Sequence, residues 1–481
     1  MMSHLGPDCC PISARRDAMT KKRRHRGSKK PKPAAHLPVI RTHVAGIDLG
    51  SREHWVCGPA LADGTANVEV FGTTTPQLEK LADWLVSQQI ESVAMESTGV
   101  YWIPVYEILE SRGLEVLLVN ARQLKQVPGR KTDMQDCQWI QLLHSCGLLR
   151  GSFRPNESIC RLRALQRQMA ELVAERTKAI QWMQKALDQM NVQIHHAVAD
   201  ITGKTGMSIL HAIVAGERNP TKLAQLRDHR CKKSEAQIAE HLTGNWRKEH
   251  LFNLEKSLMI YEQFQSMIDA YEQQIKAVME ELTPPERKDE PPPTHPNRTK
   301  AKAIIRRGEE QTRTTLSRFA GVDLTRIDGI CVKGTQTILA EIGTDLSAFP
   351  DERHFISWLH AAPPNAFSAG KRLKKKKNGT GANRIAGVLR LAAVSLARTK
   401  TALGACFRRK AITKGNKVAI FATARKLAQY IFRMLRYGQD YVDEGAEAYE
   451  QRYRERRLAA LKESARQVGY HLIPQEAEQQ A

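Results

Sequence analysis

The sequence lacks the features of membrane-spanning and disulfide-rich proteins. No uninterrupted apolar run approaches the ~20 residues that a membrane-spanning helix requires, and no secretory hydrophobic segment opens the chain. The nine cysteines are an odd number and form no Cys-x-x-Cys pair, so neither a disulfide framework nor a zinc knuckle is expected. We therefore expect a reduced protein of the cytoplasm that does not enter a membrane.

Acidic residues are scarce relative to basic ones. The chain of 481 residues has 74 lysines and arginines against 51 aspartates and glutamates, which gives a formal net charge of +23. Such a surplus favours a polyanionic partner, and nucleic acid before a membrane surface. The length exceeds what one hydrophobic core usually occupies, so we expect two or three structural units.

Composition and hydrophobic periodicity divide the first part of the chain. Residues 1–40 are basic, contain Pro and Gly and have little to bury, which predicts a disordered arm that is either a solvated tail or a phosphate binder. In residues 43–155, three strand-like segments are followed by alternating helix and strand patterns. That order is typical of an α/β ribonuclease-H-like domain.

The rest of the chain is predicted to be mainly helical. Within 157–282, apolar residues recur at heptad spacing in two long segments, which predicts an antiparallel coiled-coil arm with an insertion, or two helices of a bundle. Residues 283–314 are Pro-rich and charged and are predicted to be a mobile linker. A mainly α-helical C-terminal domain is expected over 315–440, followed by a charged tail over 441–481.

Four carboxylates fall where a ribonuclease-H-like sheet would bring them together. Asp48 ends the first strand in GIDLGS and Glu96 ends the fourth in AMESTG, and these strands are neighbours in such a sheet. Asp133 and Asp136 in KTDMQD are three residues apart on a predicted helix, so they share a face. Singly, such residues are more often turn caps or solvated charges, but together they predict one acidic pocket.

An acidic pocket of this kind needs positive charge. Carboxylates packed closely would destabilise the fold unless cations neutralise them. Oxygen ligands suit Mg²⁺ or Mn²⁺, and two such ions can hold the attacking and leaving oxygens of a phosphodiester. The four acids therefore predict a Mg²⁺ (or Mn²⁺) site. His144 with Cys146, and His195 with His196, have no matching second pair at zinc-ligand spacing, so we predict no zinc site.

Two regions of the chain carry a family resemblance. GIDLGS, MESTGVYW and VNARQLKQVPGRKTDMQDCQW closely resemble the Asp-Glu-Asp-Asp signature of the DEDD transposases of bacterial insertion sequences, the insertion-sequence-110 family. The segment that begins IDGICVKGTQTILAEIG and ends AFSAGK resembles that family's second region. The similarity covers about 43–155 and 320–400.

The resemblance implies a RuvC-like catalytic domain, a coiled-coil dimerisation segment and a C-terminal transposase domain that carries a serine nucleophile. Asp48, Glu96, Asp133 and Asp136 stand at the positions of the family's metal-binding acids, and Ser368 in FSAGK stands at the position of its serine. The resemblance also implies donor and target DNA, a guide RNA from the element end, and a homo-oligomer that is a dimer, or a tetramer in the synaptic complex.

Three positions depart from the family pattern. Residues 329–331 are Gly-Ile-Cys where the family commonly has Gly-x-Gly, and Ala369 separates Ser368 from Gly370 where a Ser-Gly pair is usual. Cys137 occupies a position that is often Ala. None of these changes removes a catalytic group.

Basic residues follow the serine directly. Six of the seven positions in 371–377 are Lys or Arg. A solvated loop is the commonest fate of such a run, but its place beside Ser368 favours phosphate contact. Arg390 on the next predicted helix could assist. The predicted nucleic-acid-binding residues are Lys371, Arg372, Lys374, Lys375, Lys376, Lys377 and Arg384.

These patterns predict a DNA transposase or recombinase that uses a metal-bound acidic site and a phosphoserine intermediate. An isolated loop serine is usually a turn former or helix cap, and its hydroxyl needs activation before it can attack. One alternative is therefore a metal-dependent nuclease that hydrolyses DNA junctions with the four acids alone. A second alternative is a non-catalytic scaffold that binds nucleic acid.

Overall fold

The chain folds into two compact units, Met1–Phe153 and Arg154–Ala481. The structure, a computed structural model, describes residues 38–97, 99–120, 124, 133–291, 294–361, 367–368, 371–372 and 383–473, with the backbone alone for 133–135, 367–368 and 371–372. Most of the predicted basic arm, residues 1–37, lies outside these ranges. None of the helices within them combines the length and apolar character that crossing a membrane would need.

The first unit is built on a mixed five-stranded sheet. Its strands are β1 (Val44–Leu49), β2 (Glu53–Cys57), β3 (Val68–Gly72), β4 (Ser92–Glu96) and β5 (Glu115–Val119). Their order across the sheet is β3-β2-β1-β4-β5, antiparallel from β3 to β1 and parallel from β1 to β5. This order confirms the predicted ribonuclease-H-like fold.

Helices cover both faces of this sheet, which is why β1 and β4 are apolar along most of their length. Helices α1 (Thr75–Ser87) and α2 (Trp102–Ser111) share one core with Ile47 and Met95. On the opposite face, α3 (Asp133–Ser145) shares a second core with Ala94 and Val119. Alternate residues of each strand therefore belong to different cores.

Two long helices begin the second unit. They are α4 (Glu157–Gln189) and α9 (Lys248–Leu282). Arg161 bonds Glu281 near one end, whereas Arg176 bonds Gln265 further along, so the helices run antiparallel. The heptad residues lie between them, and Leu162, Leu187, Leu254 and Leu258 are buried. The predicted long helices are confirmed.

A small helical insertion separates the two arm helices. It consists of α5 (Ile194–Ala197), α6 (Lys204–Val214), α7 (Pro220–Gln225) and α8 (Glu235–His241). Its buried apolar residues, among them Ile209, Ile213 and Ile238, form one core with the adjoining ends of the arm helices. The amide of Asn245 bonds the carbonyl of Met190, so the two ends of the insertion are joined.

The segment predicted as a mobile linker, residues 283–314, contains helices. They are α10 (Pro285–Lys288), α11 (Arg298–Arg306) and the start of α12 (Glu310–Ala320). Here the structure differs from the compositional expectation because the polar residues have partners later in the chain. His295 and Lys300 bond the carbonyl of Thr325, and Arg313 forms a buried ion pair with Asp323.

The remainder of the second unit is helical, as predicted, apart from one hairpin. In chain order it comprises the 3-10 turn η1 (Leu324–Arg326), α13 (Val332–Ile342), α14 (Glu352–Trp358), strands β6 (Phe367–Ser368) and β7 (Lys371–Arg372), α15 (Arg384–Ser395), the 3-10 turn η2 (Leu396–Arg398), α16 (Ala402–Lys414), α17 (Asn416–Tyr437) and α18 (Gly445–Gln467). Phe355 and Phe432 centre an aromatic core between α14 and α17. Within 441–473, α18 has no buried residue.

Candidate active site

Two of the predicted acids lie at the same level of adjacent parallel strands. Ile47 of β1 is in register with Met95 of β4, and Asp48 and Glu96 are the next residues along each strand. Both carboxylates are partly exposed, whereas the residues before them are fully buried. The carboxyl ends of these strands therefore form one edge of the sheet at which both acids emerge.

Both side chains point to the face of the sheet that carries α3. Side chains alternate along a strand, so Asp48 shares a face with Gly46 and Glu96 shares a face with Ala94. Gly46 lies directly against α3, and Ala94 belongs to the core that α3 covers. The fold thus directs Asp48 and Glu96 towards the helix that contains the other two predicted acids.

The backbone of α3 crosses β1 unusually closely. A Cβ atom built on Gly46 would lie 2.3 Å from the amide nitrogen of Gln141 and 2.5 Å from the carbonyl oxygen of Cys137. Only glycine permits this approach. Asp136 immediately precedes Cys137, so the same contact brings the first turns of α3 to the strand that carries Asp48.

Gly46 was not among the predicted site residues. A glycine within an otherwise apolar strand is a signal of close backbone approach, and the sequence VAGIDL contains that signal. The signal does not say which element approaches. The structure supplies the partner, which is the middle of α3.

The thiol of Cys137 indicates how near α3 is to the acidic edge. Its pKa is raised well above the usual range because it bonds the Cys57 thiol, because it is buried, and because Cys57 and Asp48 both add negative charge. Both cysteines are buried and neither forms a disulfide. A change from the commoner Ala to Cys137 therefore adds a packed thiol beneath the site without exposing it.

The described side chains do not by themselves complete a metal site. Among them, no group of three or more His, Cys, Asp or Glu residues is close enough to bind one ion. Asp133 begins α3, but its side chain lies outside the described residues. The acids whose side chains are described, Asp48, Glu96 and Asp136, offer only carboxylate oxygens as donors, and this chemistry fits Mg²⁺ or Mn²⁺.

The histidines that could suggest zinc have ordinary structural roles. His144 is buried, and its Nε2 lies 2.9 Å from the hydroxyl oxygen of Ser92. Burial lowers the pKa of His144. The rings of His195 and His196 contact each other at a tilt of 46°, with centroids 4.2 Å apart, on the helical insertion, and His195 lies beside Gln184. Neither pair belongs to a group of metal ligands in the described chain.

The predicted serine belongs to the second unit. Ser368 ends β6 and pairs with Lys371 of β7 in a short antiparallel hairpin. The side chains of Ser368, Lys371 and Arg372 lie outside the described residues, as do Lys374, Lys375, Lys376 and Lys377 entirely. The helix after this loop begins at Arg384, where the Asn383 side chain accepts a bond from the amide of Ala386.

Arg384, a predicted phosphate ligand, takes part in an ion network. Its Nη2 lies 3.1 Å from Oε1 of Glu171 on α4, and its Nε lies 3.9 Å from Oε1 of Glu341 on α13. Glu341 is buried and also binds Arg167 with two bonds, of 2.8 and 2.7 Å. This network fixes the start of α15 to the arm helix α4.

The turn that precedes α13 depends on a glycine. Gly329 has a φ of +84°, which only glycine adopts readily. The neighbouring departures from the family pattern have structural roles. Ile330 is buried, and the Cys331 sulfur accepts a bond from the amide of Gly334 at 3.4 Å, capping α13.

The fold and the position of its acids define a class of protein. The sheet has this strand order, and carboxylates lie at the ends of the adjacent parallel strands β1 and β4. A helix that carries two further acids covers them. This arrangement is that of a ribonuclease-H-like catalytic domain. Comparison with known protein families gives two matches, and both are to one family of transposases. Residues 45–192 match the DEDD transposase model of the IS110 type, described as "Transposase", and residues 321–407 match "Transposase IS116/IS110/IS902 family". No curated protein matches the chain.

The chain therefore belongs to the IS110 family of DEDD transposases. Its activity is DNA transposition, and DNA is its substrate. The catalytic DEDD domain matches residues 45–192, which include most of the first unit and helix α4 of the second. DEDD nucleases typically use divalent metal ions. The two matched regions lie on either side of the helical insertion, α9 and the segment predicted as a linker.

Proposed function

We propose that this transposase cuts and rejoins the DNA strands of a mobile element with its four acids and a serine nucleophile. The observation that supports the proposal best is the placement of Asp48 and Glu96 on adjacent parallel strands beneath the helix that contains Asp133 and Asp136.

The acids would hold the metal. Asp48, Glu96, Asp133 and Asp136 would bind Mg²⁺, or Mn²⁺, through carboxylate oxygens. When bound, the metal supplies positive charge that stabilises the reacting phosphate and acidifies an oxygen nucleophile. The chain's part is to orient these oxygens, because β1 and β4 fix the first pair and the Gly46 contact fixes the helix of the second.

The serine would form the covalent link. The Ser368 oxygen attacks a DNA phosphorus, the new Oγ–P bond forms as the P–O3′ bond breaks, and the serine proton passes to a base while the leaving 3′ oxygen takes one up. A 3′ hydroxyl from another strand then attacks the phosphoserine and releases the serine. The number of phosphodiester bonds is unchanged, so strand exchange needs no external energy source.

A guide RNA and a homo-oligomer complete the proposal. The resemblance to the family and the formal net charge of +23 support an RNA partner. Oligomerisation is supported by an exposed apolar stripe on α9, on the side away from α4. The stripe consists of Phe252, Met259, Ile260 and Met267, which are 58%, 60%, 38% and 40% exposed. Its heptad spacing suits a second helix.

A covalent trapping experiment tests the serine. The protein is incubated with Mg²⁺, its RNA and supercoiled DNA carrying the element ends, and adducts are separated in denaturing gels. We expect Ser368→Ala to lose both the protein–DNA adduct and strand exchange. The matched control is Ser395→Ala, a solvent-exposed serine of the same unit, which should retain both. Strand cleavage by Ser368→Ala without an adduct would favour the metal-dependent junction nuclease instead.

The acidic site has a test that does not depend on activity. Closely spaced carboxylates repel one another until a cation binds, so Mg²⁺ should raise the melting temperature of the wild-type protein. Asp48→Asn should reduce that rise. An equal rise in both proteins would contradict the proposed ligand set, and absence of a rise together with absence of any cleavage would favour a non-catalytic scaffold.

A further inference from the structure

The C-terminal part of the chain contains a long segment without acidic residues. Between Glu352 and Asp440 there is no Asp or Glu, while the same segment has twenty Lys and Arg residues. Helices α15, α16 and α17 all lie within it. Neutralisation of its positive charge therefore depends on carboxylates from elsewhere in the protein or on a polyanion.

Only some of these cations have carboxylate partners in the protein. Arg433 pairs with Glu352, Arg436 with Asp345, Arg384 with Glu171 and Arg409 with Glu450. In the described ranges, the other cations of α15 to α17 have no carboxylate oxygen within 4.0 Å. They are Arg390, Arg398, Lys400, Arg408, Lys410, Lys414, Lys417, Arg425 and Lys426.

Three of these cations, Lys417, Arg390 and Arg425, form a row along α17. We call this row the basic ridge. Lys417, Phe421 and Arg425 occupy successive turns of α17, and the Arg390 guanidinium from α15 lies 5.9 Å from the centre of the Phe421 ring. The row is about 12 Å long at the helical rise per residue. Arg390 thus fills the gap between the two α17 cations.

The turn before α17 adds a fourth cation, Lys414, to the basic ridge. Gly415, with a φ of +83°, joins α16 to α17, and Lys414 and Lys417 stand on either side of it, both exposed. Two apolar residues close in sequence to these cations are exposed as well: Leu391, which follows Arg390, is 75% exposed, and Ile412, two residues before Lys414, is 86% exposed. Exposed apolar groups among unpaired cations suit contact with the sugars and groove edges of a duplex.

We propose that the basic ridge binds the phosphate backbone of duplex DNA. The charge of the ridge is of one sign, and in the described part of the chain none of its cations has a carboxylate oxygen within 4.0 Å that a basic protein partner could use. The aromatic ring at its centre, Phe421, is half-buried and has the Arg390 guanidinium over one face, which disfavours the base stacking that single strands use. Residues 414–425 lie beyond the matched family region, which ends at residue 407.

Salt dependence tests the ridge. Affinity for a labelled 30-bp duplex of unrelated sequence is measured by fluorescence anisotropy over a series of salt concentrations. Each lost phosphate contact should reduce the slope of log K against log salt by about 0.9. Lys414→Gln/Lys417→Gln/Arg425→Gln should therefore lower the slope by about 2.7 and weaken binding about tenfold, equally for different sequences.

The control removes the same charge elsewhere. Lys185, Lys232 and Lys302 are exposed and lie on separate elements, so Lys185→Gln/Lys232→Gln/Lys302→Gln should leave the slope nearly unchanged. An equal loss in both triple variants would overturn the proposal, because net charge alone would explain it. Unchanged duplex binding by the ridge variant would also overturn it, as would a loss confined to single-stranded RNA.

Three further variants keep the test independent of folding and of the serine. Lys414→Arg/Lys417→Arg retains the charge and should retain the slope, and Arg425→Gln alone should lower the slope by about 0.9. Ser368→Ala should bind the duplex like the wild type. Failure of the ridge and failure of the serine mechanism are therefore separate results.

Discussion

Gly46 determines how closely α3 approaches the catalytic sheet. The backbone of α3 passes within contact distance of the glycine Cα, with no room for a methyl group. The atoms that a Cβ would meet belong to the helix backbone, at Gln141 and Cys137, and cannot rotate away as a flexible side chain could. One residue without a side chain thus holds the acids of α3 beside Asp48.

Gly46→Ala should separate α3 from β1. We expect the free energy of unfolding of the first unit to fall by about 3 kcal/mol, at the upper end of the cost of overpacking because backbone atoms must move. The Mg²⁺-induced rise in melting temperature should fall too. Urea denaturation followed by tryptophan fluorescence, with and without Mg²⁺, measures both effects.

The control for this change is another Gly→Ala substitution. At Gly387, on α15, the nearest atom that an added Cβ would meet is 4.0 Å away, so Gly387→Ala should be neutral or stabilise by up to about 1 kcal/mol. A Gly46→Ala protein as stable as the wild type, with an unchanged response to Mg²⁺, would show that α3 does not need this contact.

At the scale of single residues, the sequence predicts the position of a side chain on its own strand or helix better than it predicts contacts between elements distant in the chain. The place of Asp48 and Glu96 at one edge of the sheet could be predicted because each comes near the end of an apolar strand, and parallel neighbours end at the same edge. The helical position of Asp136 followed from its spacing. The approach of α3 to Gly46 could not be predicted, because nothing local identifies which distant helix fills the space above a strand glycine.

At the scale of elements, helix α13 is held to the arm by a buried carboxylate. Glu341 is 5% exposed, and Arg163 and Arg167 of α4 both approach its Oε2, at 3.4 and 2.7 Å. Beside it, the Gln336 amide donates to Gln166 across the same interface. Truncation of Glu341 would leave clustered guanidinium groups without their common partner.

Glu341→Ala should therefore destabilise the second unit strongly. Breaking a buried ion pair costs about 3–5 kcal/mol, and we expect about 3 because Arg167 is half exposed. Glu171→Ala is the control, since Glu171 is exposed and its pair with Arg384 contributes about 1 kcal/mol or less. Denaturant titrations of both variants measure the difference. Equal effects would mean that burial of Glu341 does not matter.

Elements with a regular period were predictable, and elements held by distant partners were not. The arm helices follow from apolar residues at heptad spacing. The helices of 283–314 were missed because Pro and charge indicate a linker unless the polar groups have partners. Those partners lie further along the chain: Thr325 is 30 residues after His295 and 25 residues after Lys300.

At the scale of the whole molecule, the acids and the serine belong to different units. Asp48 lies in Met1–Phe153 and Ser368 in Arg154–Ala481. A reaction that uses both must bring the two units, from one chain or from two, to the same phosphate. The apolar stripe on α9 is the surface that we expect to join chains for this purpose.

Met259→Glu should weaken association of the chains. A charge at the centre of an apolar helix contact is not solvated when that contact forms, so the population of dimer should fall at least about tenfold. Sedimentation velocity over a concentration series measures this. Gln273→Glu, at an exposed polar position on the same helix, is the control. Unchanged sedimentation of the Met259 variant would exclude the stripe as the contact.

The joined ends of the helical insertion have a consequence for the order of folding. Bringing α4 and α9 together directly would require closure of a long flexible loop, with a large loss of chain entropy. The insertion shares one core with the adjoining ends of α4 and α9, and the Asn245 amide bonds the carbonyl of Met190. Once the insertion is folded, pairing of α4 with α9 can proceed from the end next to it. Each new contact then joins residues that are already close along the folded chain, and such local contacts form fastest.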